Sequence, residues 1–179
     1  MNVRVIAGRF GGRIIDAPSR RSTHAMSSRI RNALFNSLAG QIKDVRVLDA
    51  FAGSGAVGIE ALSRGAASCI FIERNHVAAR IIQKNLNLIG AEVTGKVIST
   101  TVNNWLSTND ERLFDIIFAD PPYHDTQLNT VLKLLSLLED DGKLIVSLPL
   151  DQEVPAVQGV QVIDERIYGN AKLVTISKR

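Results

Sequence analysis

The 179-residue sequence predicts an α/β fold: a doubly wound, mostly parallel seven-stranded sheet with a C-terminal antiparallel hairpin and an N-terminal β-hairpin and helix. Three observations predict it. Between residues 45 and 148, short runs rich in Val, Ile and Phe alternate with segments of helical period, a pattern that gives parallel strands covered by helices. A glycine-rich stretch, Gly53-Ser54-Gly55-Ala56-Val57-Gly58, stands where the first of these strands turns into a helix. The last two apolar runs flank Gly169-Asn170, a two-residue hairpin signal.

Each element has a local reason. Residues 3–7 and 13–17 are strand-like and flank the turn pair Gly11-Gly12. Ser27 or Ser28 can cap a helix running to about Ala39 and ended by Gly40. Its period predicts a buried stripe of Ile30, Ala33, Leu34, Ser37 and Leu38, with Arg29, Asn32 and Asn36 on another face. Residues 45–49 form the first core strand, followed by a helix over 55–64 that Gly65 stops. Strand 69–73 leads to a helix over 75–89, capped by Asn75 and ended by Gly90. A weaker strand at 96–99 precedes a short helical piece at 102–106. Then come strand 113–119, a leucine-rich helix at 126–138, strand 143–148 and the hairpin of 160–168 with 171–177.

Length and composition suit one domain, residues 1–179, with a basic extension over 1–40 and a core over 41–179. Apolar residues make up 45% and charged ones 22%, the balance of an ordinary globular protein. No apolar run nears the roughly 20 residues that span a bilayer, and no signal peptide opens the chain, so a cytoplasmic protein with no membrane partner is expected. Cys69, in the run Cys69-Ile70-Phe71-Ile72, reads as a core residue. The three histidines are scattered, so no bound metal is expected.

Charge is uneven. Residues 1–31 carry seven arginines, no lysine and one acid, Asp16, a net +6 in a chain whose total is +3. Guanidinium binds phosphate through two parallel hydrogen bonds and stacks on bases, so this segment points to nucleic acid. Arg9, Arg13, Arg29 and Arg31 are the candidate RNA contacts.

Two motifs carry the chemistry. Asp120-Pro121-Pro122-Tyr123 follows an apolar strand and makes a rigid rim, since proline fixes φ near about −65° and has no N–H. The Asp120 carboxylate and the Pro121 carbonyl can together accept both hydrogens of a planar exocyclic amine, with Pro122 stiffening the turn. Tyr123 offers a flat base a stacking surface. These are the needs of an enzyme that alkylates the amine of a nucleobase. The second motif, Asp49-Ala50-Phe51-Ala52-Gly53-Ser54-Gly55, continues to Gly58 as a literal G-x-G-x-x-G, with Glu73 twenty residues beyond Gly53. That spacing also fits a dinucleotide. Asp49 argues against it: a carboxylate at the strand end repels a pyrophosphate but attracts the ammonium and sulfonium of S-adenosylmethionine. Phe51, Ala52, Gly53, Gly55, Glu73 and Arg74 complete the expected cofactor contacts, Glu73 reaching the ribose hydroxyls.

With these residues, the chain resembles a seven-stranded, Rossmann-like, S-adenosylmethionine-dependent methyltransferase. It is most similar to the bacterial family that methylates a guanine N2 of 16S ribosomal RNA, in the small subunit. The likeness covers Arg4-Val5-Ile6-Ala7-Gly8 with Gly12-Arg13, then Arg29-Ile30-Arg31-Asn32-Ala33-Leu34-Phe35-Asn36-Ser37-Leu38. It continues through residues 49–55, 58–65, Glu73 and the Asp-Pro-Pro-Tyr rim. It implies an enzyme that consumes S-adenosylmethionine, releases S-adenosylhomocysteine, and acts on 16S ribosomal RNA or the assembling small subunit; a monomer is expected. Two departures stand out. The family's Arg-Pro-Thr before the first helix is replaced by Ser22-Thr23-His24-Ala25-Met26-Ser27-Ser28. After the third core strand, Ser99-Thr100-Thr101 stand where relatives carry an acid for the adenine amine, so Thr101 or a backbone group takes that contact. The rival readings are adenine-N6 methylation of nucleic acid, a non-catalytic RNA-binding or ribosome-assembly factor, and an NAD-linked oxidoreductase.

Overall fold

The computed structural model describes residues 2–18, 26–108 and 113–178. Its seven-stranded sheet is built from β3 (Arg46–Asp49), β4 (Ser68–Ile72), β5 (Gly95–Ile98), β6 (Phe114–Ala119), β7 (Leu138–Pro149), β8 (Val160–Tyr168) and β9 (Ala171–Lys178). The order is β5-β4-β3-β6-β7-β9-β8. The first five strands run parallel, β9 pairs antiparallel with β7 and β8 antiparallel with β9, as the alternation and the terminal hairpin predict. The chain moves outward from β3 to β5 and then returns to β6 on its other side. The resulting switch point lies between the carboxyl ends of β3 and β6, where ligands bind in such sheets. Helices α2 (Ala56–Ser63), α3 (His76–Ile89), α4 (Val102–Thr108) and α5 (Leu128–Lys133) connect the strands.

The caps follow the sequence. Asn75 Oδ1 accepts the amides of Val77 and Ala78, and Gly90 ends α3 at φ +72°. Gly58 is required by close approach: a Cβ there would meet Phe71 Cε1 at 2.3 Å, so glycine lets α2 lie directly on β4.

The leucine-rich segment departs from expectation. The helix predicted over 126–138 is α5 plus a 3-10 turn, Leu134–Leu137, and Leu138 already pairs with Phe114 in the sheet. Leu134, Leu135, Leu137 and Leu138 are all buried, so their close spacing fits a tightening turn that delivers the chain to the sheet. Consequently β7 begins at Leu138 rather than at residue 143, with a register shift between Phe114 and Ile116 that accommodates residues 139–142.

The N-terminal part is a short hairpin, β1 (Asn2–Arg4) with β2 (Ile14–Asp16), followed by α1 (Ser28–Ser37), whose cap Ser27 accepts the amide of Ile30. Val5, Phe10, Ile15, Leu34 and Phe35 join one apolar core with Val47 and Phe118 of the sheet and Ile59 of α2. Of the stripe predicted from period, Leu34 and Leu38 are buried and Ile30 is partly so, but the face is turned toward Arg31 and Phe35, while Ala33 and Ser37 are only partly covered. Glu60 explains the shift.

Glu60 sits on α2 with no exposed surface. Its carboxylate accepts the amides of Ile6 at 2.8 Å and Ala7 at 3.1 Å, and Arg64 Nε at 2.8 Å. Arg31, itself 1% exposed, lies 3.7 Å from Glu60 and donates to the carbonyl of Arg4 at 2.7 Å. Buried charge is tolerated only when paired and hydrogen-bonded, and this carboxylate meets both conditions. Hairpin, α1 and α2 are thereby fastened to one another. Replacing Glu60 by Ala leaves Arg31 and two amides uncompensated and is predicted to lower unfolding free energy by about 3–5 kcal/mol. Urea unfolding of Glu60→Ala measures this, and an unchanged midpoint would contradict it.

Candidate functional site

The site begins where β3 ends. Asp49 is 2% exposed, and its Oδ2 accepts the amide of Gly58 at 2.9 Å. Gly58 is the third residue of α2, and its N–H is one of the donors that a helix's first turn leaves without an internal partner. The residue in the cap position, Gly55, has φ +76° and no side chain to cap with, so the carboxylate from the neighbouring strand supplies the cap. Glu73, just after β4, accepts the amide of Gly53 at 2.7 Å through Oε2 and that of Asn75 at 2.7 Å through Oε1. Two amides of the glycine loop are thus taken by carboxylates.

A cavity of about 460 Å³, counting its open mouth, lies over this loop. Asp49, Phe51, Ala52, Gly53 and Asp120 line it together, so the structure brings the expected cofactor loop and the Asp120 rim into one crevice. Among its described lining residues there is no Lys or Arg. Burial pushes the Asp49 carboxyl up to about 7, opposed by the Gly58 amide and reinforced by the negative charges of Asp120 and Glu73. Three carboxylates therefore share one field at the tips of three adjacent strands.

The arrangement suits a cation and repels phosphate. A pyrophosphate would need the amides that Asp49 and Glu73 occupy, and would face their charge. A ligand with an ammonium and a sulfonium gains from the same field. S-adenosylmethionine, which carries both cations and no phosphate, fits this donor set. Glu73 keeps unused lone pairs for hydroxyls. Among the described residues, no group of three His, Cys, Asp or Glu is placed to hold a metal ion.

The remaining expected residues take different places. Pro121 is buried, and Pro122 accepts the amide of Asp125 at 2.9 Å through its carbonyl. Tyr123 is half-buried, its hydroxyl 2.8 Å from Ser147 Oγ. Arg74 is exposed at the start of α3. Thr101 is exposed, and its hydroxyl accepts the amide of Asn104 at the start of α4, while the cavity does not reach it. Arg9 and Arg29 are exposed, Arg9 with its guanidinium 4.4 Å from the Phe10 ring centre. Arg13 is exposed but turns back to the carbonyl of Ile89 at 3.3 Å, at the end of α3. Arg31 is not a surface contact: it is buried in the Glu60 pair, because its side chain satisfies the one acid enclosed by α2. Ser22 to Ala25 lie outside the described residues.

Sequence reasoning missed Glu60, Ser147, Met26 and Leu34. Met26 and Leu34 line the crevice from the N-terminal part. For Glu60 a signal existed, an acid in the otherwise uncharged helix Ala-Val-Gly-Ile-Glu-Ala-Leu-Ser. Ser147, a hydroxyl within Leu144-Ile145-Val146-Ser147-Leu148, is the same kind of signal.

Comparison with known proteins gives the family. The profile of the family described as "Conserved hypothetical protein 95" matches residues 3–177. The chain belongs to this family. "Ribosomal RNA small subunit methyltransferase D" of Escherichia coli K12 is 36% identical over 79% of this chain and 69% of its own length. YlbH of Bacillus subtilis, described provisionally as an rRNA methyltransferase, is 32% identical over 99% of this chain and all of its own. Among solved structures, yhhF of Escherichia coli, described provisionally as a methyltransferase, superposes with TM-score 0.88 at 30% identity, covering 100% of this chain and 99% of its own.

The Asp49 carboxyl gives the site a pH signature. Below its value near 7 the group is mostly protonated, above it mostly ionised, and only the ion attracts a cation. Affinity for S-adenosylmethionine is predicted to rise from about pH 6 to about pH 8, with a proton released on binding at the lower end. Asp49→Asn flattens that profile and weakens binding. Calorimetry in buffers of different ionisation enthalpy reads both effects, and a pH-independent affinity in the unaltered protein would contradict them.

Proposed function

We propose that this chain methylates the exocyclic N2 amine of a guanine in 16S ribosomal RNA, working as a single domain and a monomer in the cytoplasm. The observation that carries the reading is the meeting of the carboxylate-tied glycine loop and the Asp120 rim in one crevice. Relatives named as small-subunit ribosomal RNA methyltransferases support the choice of RNA. The likeness of residues 4–13 and 29–38 to the guanine-N2 family supports the base and the atom.

When bound, S-adenosylmethionine supplies an already activated sulfonium methyl and leaves as S-adenosylhomocysteine. The chain's own part is mostly positioning. Asp120 and the Pro121 carbonyl accept the two amine hydrogens, which takes the nitrogen lone pair out of conjugation with the ring and directs it toward the methyl. Methylation exchanges one N–H for an N–C bond, and Asp120 is placed to take the released proton toward solvent. Tyr123 stacks on the extruded base. Asp49, Phe51, Ala52, Gly53, Gly55, Glu73, Arg74 and Thr101 hold the cofactor, and the exposed Arg9, Arg13 and Arg29 receive RNA phosphates.

Asp120→Ala is predicted to abolish turnover while leaving cofactor binding nearly intact. Labelled methyl donor is incubated with 16S RNA and with small subunits that lack the modification, and the nucleosides are then identified by mass spectrometry. N2-methylguanosine from the unaltered protein alone supports the reading. Retained turnover in Asp120→Ala, or a methylated adenosine, would contradict it.

A further inference from the structure

Ser147 is a hydroxyl in an apolar strand, 3% exposed and lining the crevice. In the register of β6 with β7, Ala119 stands opposite Val146, so Ser147 is the next residue along, beside Asp120 at the strand tips. Its Oγ lies 2.8 Å from the Tyr123 hydroxyl. The Tyr123 side chain is therefore held at both ends. Two prolines precede it, and the Pro122 carbonyl accepts the amide of Asp125 in the turn that follows. At the far end, the hydroxyl meets an atom fixed by the sheet. An unanchored tyrosine on a rim would exchange between staggered rotamers, and the bond to Ser147 favours the one in which it forms.

We propose that Ser147 is a positioning residue for methyl transfer: its bond to the Tyr123 hydroxyl fixes the ring as the wall against which the acceptor base lies, and so aligns the amine with Asp120. This rests on the reading of Asp120 and Tyr123 given under Proposed function. The ring's contact with the base is made by its face, and the hydroxyl acts only through the ring's orientation. Burial raises the Tyr123 hydroxyl above its ordinary value, against the opposing bond to Ser147, so it remains protonated and the pair stays intact at neutral pH.

Single-turnover methylation of unmodified small subunits tests this with Ser147→Ala, Tyr123→Phe, the double variant and Tyr123→Ala. The expected result is a rate at saturating substrate about fivefold lower for Ser147→Ala and for Tyr123→Phe, the factor one ordinary hydrogen bond is worth. The double variant is no slower than either single one, and half-saturating substrate and cofactor affinity are unchanged. Wild-type rates in both single variants, or effects that multiply, overturn the proposal. Should Ser147→Ala not fold, Tyr123→Phe decides alone, because it removes one oxygen from a half-exposed side chain. Tyr123→Ala separates the two readings. If it keeps full turnover, stacking on Tyr123 is wrong. If it loses turnover while Tyr123→Phe and Ser147→Ala do not, only the positioning role fails.

Discussion

Two carboxylates bonded to the amides of a glycine loop decide what this crevice can hold. The G-x-G-x-x-G turn is chemically ambiguous, because small residues at a helix start admit any ligand that needs close backbone approach. Here Asp49 accepts from Gly58 and Glu73 from Gly53, which changes a donor-lined anion cradle into an acid-lined one. The cap that the first turn of α2 requires is supplied from β3, so the feature that stabilises the helix also sets the charge of the pocket. Burial disfavours the ionised form of Asp49, and a cation beside it would offset that cost.

The second constraint is mechanical. The site lies between strand tips, but Met26 and Leu34 on its wall come from the N-terminal part. That part is held by a carboxylate buried in α2, the same helix whose first turn belongs to the glycine loop. α1 is tied to α2 through the Arg31–Glu60 ion pair, and Arg31 also donates to the Arg4 carbonyl of the hairpin whose following amides Glu60 accepts, so the crevice wall and the cofactor loop share one anchor. The basic segment is therefore divided in role: Arg9 and Arg29 face solvent, whereas Arg31 is internal structure.

Much of this was legible in sequence because the signals were local. Asn75, Gly90 and Ser27 are caps, and a cap is defined by the few residues around it. The parallel core and its antiparallel edge followed from the alternation and the terminal hairpin signal, and the crevice followed from strand ends that carry Asp49 and Asp120. What escaped was non-local. Arg31 reads as a surface cation on period alone, since nothing within its own helix reveals an acid on α2, twenty-nine residues later. Leu138 reads as the last helical residue until Phe114 is known to be its partner. Ser147 has no meaning until the turn after β6 brings Tyr123 to it. In each case the deciding contact joins elements distant in sequence.

The central claim is that the loop selects a cation and refuses a pyrophosphate, and calorimetric titration of the unaltered protein with S-adenosylmethionine and with NAD tests it most directly. Saturable binding of S-adenosylmethionine with no detectable heat from NAD at the same concentrations is the predicted result. Binding of NAD as tight as that of S-adenosylmethionine, or tighter, would contradict it.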